Sequence, residues 1–237
     1  MKRIGESKET DQVGRPALKV SGLQFEFPDV LELEARFEVG EGERLALVGP
    51  SGSGKSTLLR LLAGLLPLKS GSVSLGGIDL VRVPVEKRGC GMVFQDGALF
   101  PALSVIENVA YGLRVRGVPF QERTERALAG LKRVGLENRA QSSIGGLSGG
   151  ERQRVAFLRA LIWEPKYLLL DEPFSALDGM TRGAVQEVLL DLHRDCPVPL
   201  ILVTHDEQDL QKLATRRVEA RTFSDSFASR KIRFFQD

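Results

Sequence analysis

ERLALVGPSGSGKSTLLRLLAGLL, Glu43 to Leu66, joins three patterns without a break. The run ERLALVG is apolar and of strand length, GPSGSGKST is a glycine-rich turn, and KSTLLRLLAGLL repeats leucine every three or four residues, the period of a helix. A strand, a loop and a helix in that order begin a β-α-β unit, so the expected class is α/β with a mainly parallel sheet. The loop also carries chemistry. It matches G-x-x-x-x-G-K-[ST], with Gly49, Pro50, Ser51, Gly52, Ser53 and Gly54 forming a cradle whose backbone N–H groups turn toward the phosphates of a nucleotide. The helix N-terminus adds partial positive charge. Lys55 is expected to reach the β- and γ-phosphates, Ser56 to place its hydroxyl on Mg²⁺, and Thr57 to close the motif.

Outward from this unit, LKVSGLQFEF and LELEARFEV (Leu18–Phe27 and Leu31–Val39) partly alternate apolar with polar residues around the turn signal Pro28-Asp29. They predict an N-terminal antiparallel β-subdomain. GSVSLGGIDL after Pro67 reads as a hairpin and GMVFQ as a buried strand ending at Gln95. From about Phe100 to Ser148 the spacing becomes helical: Ser104 and Glu107 form a capping box, Pro119 suits a first turn, and the segment predicts an inserted α-helical subdomain. The α/β alternation resumes with a helix over 151–163, the strand KYLLLDE, a helix through GAVQEVLLDLHRD, the strand PLILVTH and a helix from Asp206 to about Thr215. Beyond Arg216 the chain is charged and lacks glycine; VEARTF and ASRKIRFF can pair around Ser224-Asp225-Ser226. Residues 1–16 read as a loose polar tail without the apolar core of a secretion signal, and 17–237 as one domain.

Composition narrows the function classes. The net charge is +2 in 237 residues, so no field of one sign marks nucleic acid as a partner. The apolar runs fall short of the about 20 residues of a membrane span. Cys90 and Cys196 have no C-x-x-C spacing and no neighbouring histidine, and read as ordinary reduced thiols.

YLLLDEP is an apolar strand ending in two acids, which burial penalises unless they are paired or bound to metal. Ligands of open α/β sheets lie beyond the carboxyl ends of strands. Asp171 is therefore expected beside the Mg²⁺, bound to it or hydrogen-bonded to one of its waters. Glu172, one residue on, is expected to orient and deprotonate a water. Gln95 and His205 fall at the same expected sheet edge; the glutamine suits the metal or the water, and a neutral imidazole suits the γ-phosphate.

These residues, with LSGGERQR (Leu147–Arg154) and SALD (Ser175–Asp178), occur in the order and approximate spacing of the ATP-binding subunits of ABC transporters. The resemblance covers about Leu18 to Thr215. It implies a P-loop NTPase core and the ATPase reaction. It also implies that Asp178 contacts the partner subunit's site and that Phe25 or, at the better spacing, Phe27 stacks on adenine. The helical insertion looks like the subdomain that, with the glutamine loop, receives a coupling helix of a transmembrane permease. DGALFPALSVIENV and DEPFSALD resemble the bacterial importer ATPases of the thiamine, iron, polyamine and sulfate-molybdate type, and the sequence stops where many such relatives continue into a regulatory domain. A peripheral place on the cytoplasmic face of the inner membrane and an indirect link to a solute-binding protein follow. The competing reading, a soluble ABC-type ATPase of DNA repair or translation, would bring long coiled-coil insertions or two ATPase units per chain.

LSGGERQR supplies a second glycine-rich helix start. Ser148 and Glu151 are spaced as a capping box, while Gly149 and Gly150 allow close approach of backbone to a ligand. Gly54, Lys55 and Ser56 already serve one nucleotide, so the second donor cluster is expected to cover the γ-phosphate held by another copy. The arrangement is a head-to-tail homodimer with two shared ATP sites.

Overall fold

In the computed structural model, residues 17–27, 31–224 and 230–236 are described, the side chains of Phe27, Leu31, Ser224 and Arg230 excepted. The tail 1–16, the turn at Pro28-Asp29 and Asp225-Ser226 lie outside the described residues.

Strands β1 (Leu18–Phe27) and β2 (Leu31–Val39) pair antiparallel, and β3 (Arg44–Val48) leads into α1 (Lys55–Ala63). The hairpin of β4 (Ser70–Leu75) and β5 (Ile78–Asp79) extends the antiparallel part through β1. After β6 (Cys90–Val93) come α2 (Val105–Val115) and α3 (Phe120–Arg133). Then follow α4 (Gly149–Leu161), β7 (Tyr167–Asp171), α5 (Gly179–Asp195), β8 (Leu200–Val203) and α6 (Glu207–Leu213). Two last strands, β9 (Arg216–Ser224) and β10 (Arg230–Phe235), form the antiparallel pair expected of the charged end.

Among the described residues ten strands join one mixed sheet in the order β5-β4-β1-β2-β10-β9-β3-β8-β7-β6. From β9 to β6 every pairing is parallel, which places the carboxyl ends of β3, β8, β7 and β6 at one edge. The last pair of strands occupies an unexpected place. It lies between β2 and β3, neighbours in sequence, and β10 runs parallel to β2. Lys231 pairs with Glu32 at 2.9 Å and Arg233 with Glu34 at 3.2 Å across that seam.

β7 is buried along its whole length because both of its faces are covered. Tyr167 and Leu169 pack with α1 and the antiparallel strands, whereas Leu168 and Leu170 pack with α2, α4 and α5. That double burial explains the unbroken apolar run before the two acids. The expected capping box of α2 is present: Ser104 N–H donates to Glu107 Oε2 at 2.8 Å and Glu107 N–H to Ser104 Oγ at 3.4 Å. Among the described residues no helix is long and apolar enough to cross a membrane.

Candidate functional site

β3 ends where the chain must turn sharply, and glycine meets that need. Gly49 has φ +149°, Gly52 φ +76° and Gly54 φ +75°, values that side chains with a Cβ rarely adopt. A Cβ on Gly49 would stand 2.7 Å from the Ala220 Cβ of β9, so the glycine-rich loop rests against the β9–β10 strand pair. Helix α1 starts at Gly54 without a side-chain cap, leaving its first N–H groups for an outside acceptor. Lys55 is buried, with its amine donating to Gly49 O at 2.8 Å and Pro50 O at 2.9 Å. Burial lowers its pKa, opposed by the nearby Glu172 and Asp171 carboxylates.

Ser56, one residue into α1, donates its hydroxyl to Asp171 Oδ1 at 2.7 Å, joining the end of β7 to the loop across β8. Asp171 is only 7% exposed, and burial raises its pKa above the ordinary carboxylate value. A hydroxyl and a carboxylate on rigid elements are the hard oxygen donors that suit Mg²⁺, and a cation there would offset the burial of the acid.

Glu172 has φ +44°, a strained value for a residue with a Cβ, and strain of this kind clusters at sites of function. Its N–H donates to Val203 O at 3.0 Å, and its carbonyl accepts from Ser175 Oγ at 3.0 Å. These bonds set the carboxylate 3.5 Å from His205 Nδ1, across from the end of β8. The imidazole is largely exposed.

Gln95 differs from its expected place. β6 stops at Val93, so Gln95 does not close the strand but stands exposed in the turn after it. Gly97 N–H to Phe94 O, 2.8 Å, closes that turn. Arg159 of α4 donates to Gly97 O and to Ala98 O, each at 2.8 Å, bracing Ala98 at φ +44°.

Ser148 caps α4 as expected, with Ser148 N–H on Glu151 Oε2 at 2.7 Å and Glu151 N–H on Ser148 Oγ at 3.2 Å. Gly150 has another cause than the approach of a ligand: a Cβ there would meet Thr181 Cγ2 at 2.4 Å, so the α4–α5 contact alone demands glycine. A Cβ on Gly149 would lie 3.4 Å from Leu177, an ordinary contact. Asp178 caps α5 by accepting from Thr181 N–H at 3.0 Å, and this bond holds its pKa below the usual value. Ser148, Gly149, Gly150 and Asp178 thus form one cluster. No hydrogen bond or ion pair among the described residues joins it to Lys55, Ser56, Asp171 or Glu172. Phe25 is half-buried against the core of the antiparallel strands, and the side chain of Phe27 lies outside the described residues.

The residues that hold this frame carry only weak signals in the sequence. Arg159 was visible as a lone charge within VAFLRALIW. Asn108 is fully buried: its Oδ1 accepts from Phe100 N–H at 2.8 Å, and its Nδ2 donates to Phe100 O, Leu103 O and Ser104 O at 3.0, 3.2 and 3.0 Å. A polar residue inside VIENVAYGL signals a buried clamp only once the partner carbonyls are known.

Comparison with known proteins agrees with this geometry. A family profile described as ABC transporter matches residues 34–175. Over 214 residues, 90% of this chain and 58% of the relative, the sequence is 41% identical to the spermidine/putrescine import ATP-binding protein PotA of Pasteurella multocida. Over 177 residues, 75% of this chain and 52% of the relative, it is 48% identical to the sulfate/thiosulfate import ATP-binding protein CysA of Nephroselmis olivacea. The PotA protein of Haemophilus influenzae is 47% identical over 76% of this chain and 48% of its own length. The chain spans about half the length of these relatives. Its glycine-rich loop, its paired acids at a strand end and this extended likeness have a single source: the chain belongs to the ABC transporter family.

Proposed function

We propose that this chain is the ATP-binding and ATP-hydrolysing subunit of an importer, working as a head-to-tail homodimer beneath transmembrane permease subunits. The observation that carries the reading is the Ser56–Asp171 hydrogen bond beside a buried Lys55 and an uncapped helix N-terminus. Gly49 to Thr57 bind the phosphates, with Lys55 neutralising the β- and γ-oxygens. Ser56, Asp171 and Gln95 are the residues that would hold Mg²⁺, which when bound supplies charge neutralisation at the β- and γ-phosphates. Glu172 orients a water and takes its proton as the water oxygen bonds to the γ-phosphorus and the bond to the bridging oxygen breaks, giving ADP and phosphate. His205 donates from its imidazole to the γ-phosphate, and Phe27 stacks on adenine.

Ser148, Gly149, Gly150 and Asp178 act on the nucleotide of the second copy, which fits their separation from this chain's own loop. Residues 17–237 form one ABC ATPase domain behind the tail 1–16, with 100–148 as its helical subdomain and 216–237 as a divergent end. An open groove of about 370 Å³, lined by Phe94, Phe100, Tyr111, Arg159 and Trp163, borders the Gln95 turn. It offers the permease an aromatic seat in direct contact with that turn. The relatives named for polyamine and for sulfate import support a solute importer; its place in this reading is the cytoplasmic face of the inner membrane, with a solute-binding protein acting through the permease. The test is Glu172→Gln. We expect turnover lost, ATP affinity kept within a few-fold, and an ATP-dependent dimer by gel filtration; hydrolysis near the wild-type rate would remove Glu172 from its role.

A further inference from the structure

His205 is a proposed catalytic group whose side chain is not held by packing. It is 67% exposed, and its contact with Glu172 is a loose 3.5 Å. Its direction is therefore set by its backbone, and buried polar groups hold that backbone.

Asp209 on α6 is 2% exposed, yet no cation pairs with its carboxylate among the described residues. Oδ1 accepts from Gln186 Nε2 of α5 at 2.6 Å, and Oδ2 accepts from Thr204 Oγ1 at 2.8 Å. The Thr204 oxygen in turn accepts from the Asp206 N–H at 3.1 Å. The residues on both sides of His205 are thus tied to one point. Asp206 is also ion-paired with Arg182, whose Nη2 donates to Phe174 O at 3.2 Å. A buried acid served only by neutral donors is expensive, and an apolar residue would pack α6 on α5 at lower cost. The burial is explained if the carboxylate sets a geometry that packing alone does not.

We infer that Gln186, Asp209 and Thr204 are positioning residues that fix the 204–206 turn so that the His205 imidazole faces Glu172. The inference rests on the proposed role of His205. The Thr204 hydroxyl is the key element because it alone both donates to Asp209 and accepts from the peptide that follows His205. Thr204→Val keeps the shape and removes this bridge, whereas Thr204→Ser keeps the hydroxyl.

The test compares wild type, Thr204→Val, Thr204→Ser and His205→Ala for kcat and KM of ATP hydrolysis, with imidazole NMR on the same proteins. The chain has only two histidines, and His193 is buried against Val198 O at 2.7 Å, an internal control. For Thr204→Val we expect kcat to fall about tenfold, in line with the cost of small misplacements of catalytic groups. KM for ATP should stay within about twofold, and the His205 signals should move while those of His193 stay. Thr204→Ser should restore both readouts. Thr204→Val at wild-type kcat, a loss that Thr204→Ser does not restore, or unmoved His205 signals would overturn the inference. His205→Ala at full turnover would instead overturn the role of the histidine itself, a separate failure visible in a separate variant.

Discussion

The contact between Gly49 and Ala220 permits a quantitative test of how the phosphate loop is supported. Gly49→Ala would add a Cβ at φ +149°, and strained backbone of this kind costs about 1–3 kcal/mol. The same Cβ would stand 2.7 Å from the Ala220 Cβ, well inside van der Waals contact, and overpacking costs about 1–3 kcal/mol more. The sum is about 2–6 kcal/mol. The two parts separate because Ala220→Gly removes the clash with the Ala220 Cβ and leaves the strain, together with a 3.1 Å approach to the Ser53 Oγ that is the same in both backgrounds; the Ala220 Cα, at 3.6 Å, is an ordinary neighbour. Alone, Ala220→Gly weakens β9 by about 0.5–1 kcal/mol. In the Gly49→Ala background it should return about 1–3 kcal/mol, so the double-mutant cycle should show a coupling of that size and favourable sign. Urea unfolding of the four proteins measures it, with ATP titration as a second readout of loop geometry. Additivity to within about 0.5 kcal/mol would mean that the strand does not support the loop, and would refute the reasoning.

Asp171→Asn should raise the stability of the ligand-free protein at neutral pH while impairing turnover. Burial raises the folded-state pKa of Asp171, so the wild type should lose stability as pH rises from the ordinary carboxylate range of about 4 through that raised value. The variant should lack this loss, and thermal melts of both proteins across pH check the difference. Asn108→Ala removes a fully buried side chain's bonds to the 100–104 segment and should cost about 2–3 kcal/mol, with faster amide exchange at Phe100 than at β7. Ser148→Arg should leave ATP binding by the monomer intact and abolish hydrolysis, measured by nucleotide titration beside phosphate release; wild-type hydrolysis would exclude Ser148 from the shared site.

What could be read before the structure was local. The phosphate loop announces itself because strand end, glycines, lysine and serine are contiguous, and YLLLDEP because two-faced burial leaves an unbroken apolar run. Ser104 and Ser148 were legible as caps because a capping box is a three-residue relation. Non-local causes were not legible. Gly150 is glycine because of Thr181 on another helix, and Gln95 lies past its strand because β6 stops pairing with β7 at Val93. Asp209 carries no sequence signal that separates it from a surface acid in a polar helix start. Its meaning comes from Gln186 and Thr204, which the fold brings to it.

The placement of β9 and β10 between β2 and β3 also bears on how the chain is made. On a ribosome β2 and β3 emerge almost together, but the strands that join them come only after residue 216. At about 5–20 residues per second, the facing edge of β2 stays unpaired for roughly ten to forty seconds. An open edge for that long invites pairing with another nascent copy. Glu32 and Glu34 stud that edge and repel a second copy of β2, then meet Lys231 and Arg233 when the chain's own β10 arrives. The charges along this seam act as a gatekeeper during synthesis, opposing the wrong partner before they greet the right one.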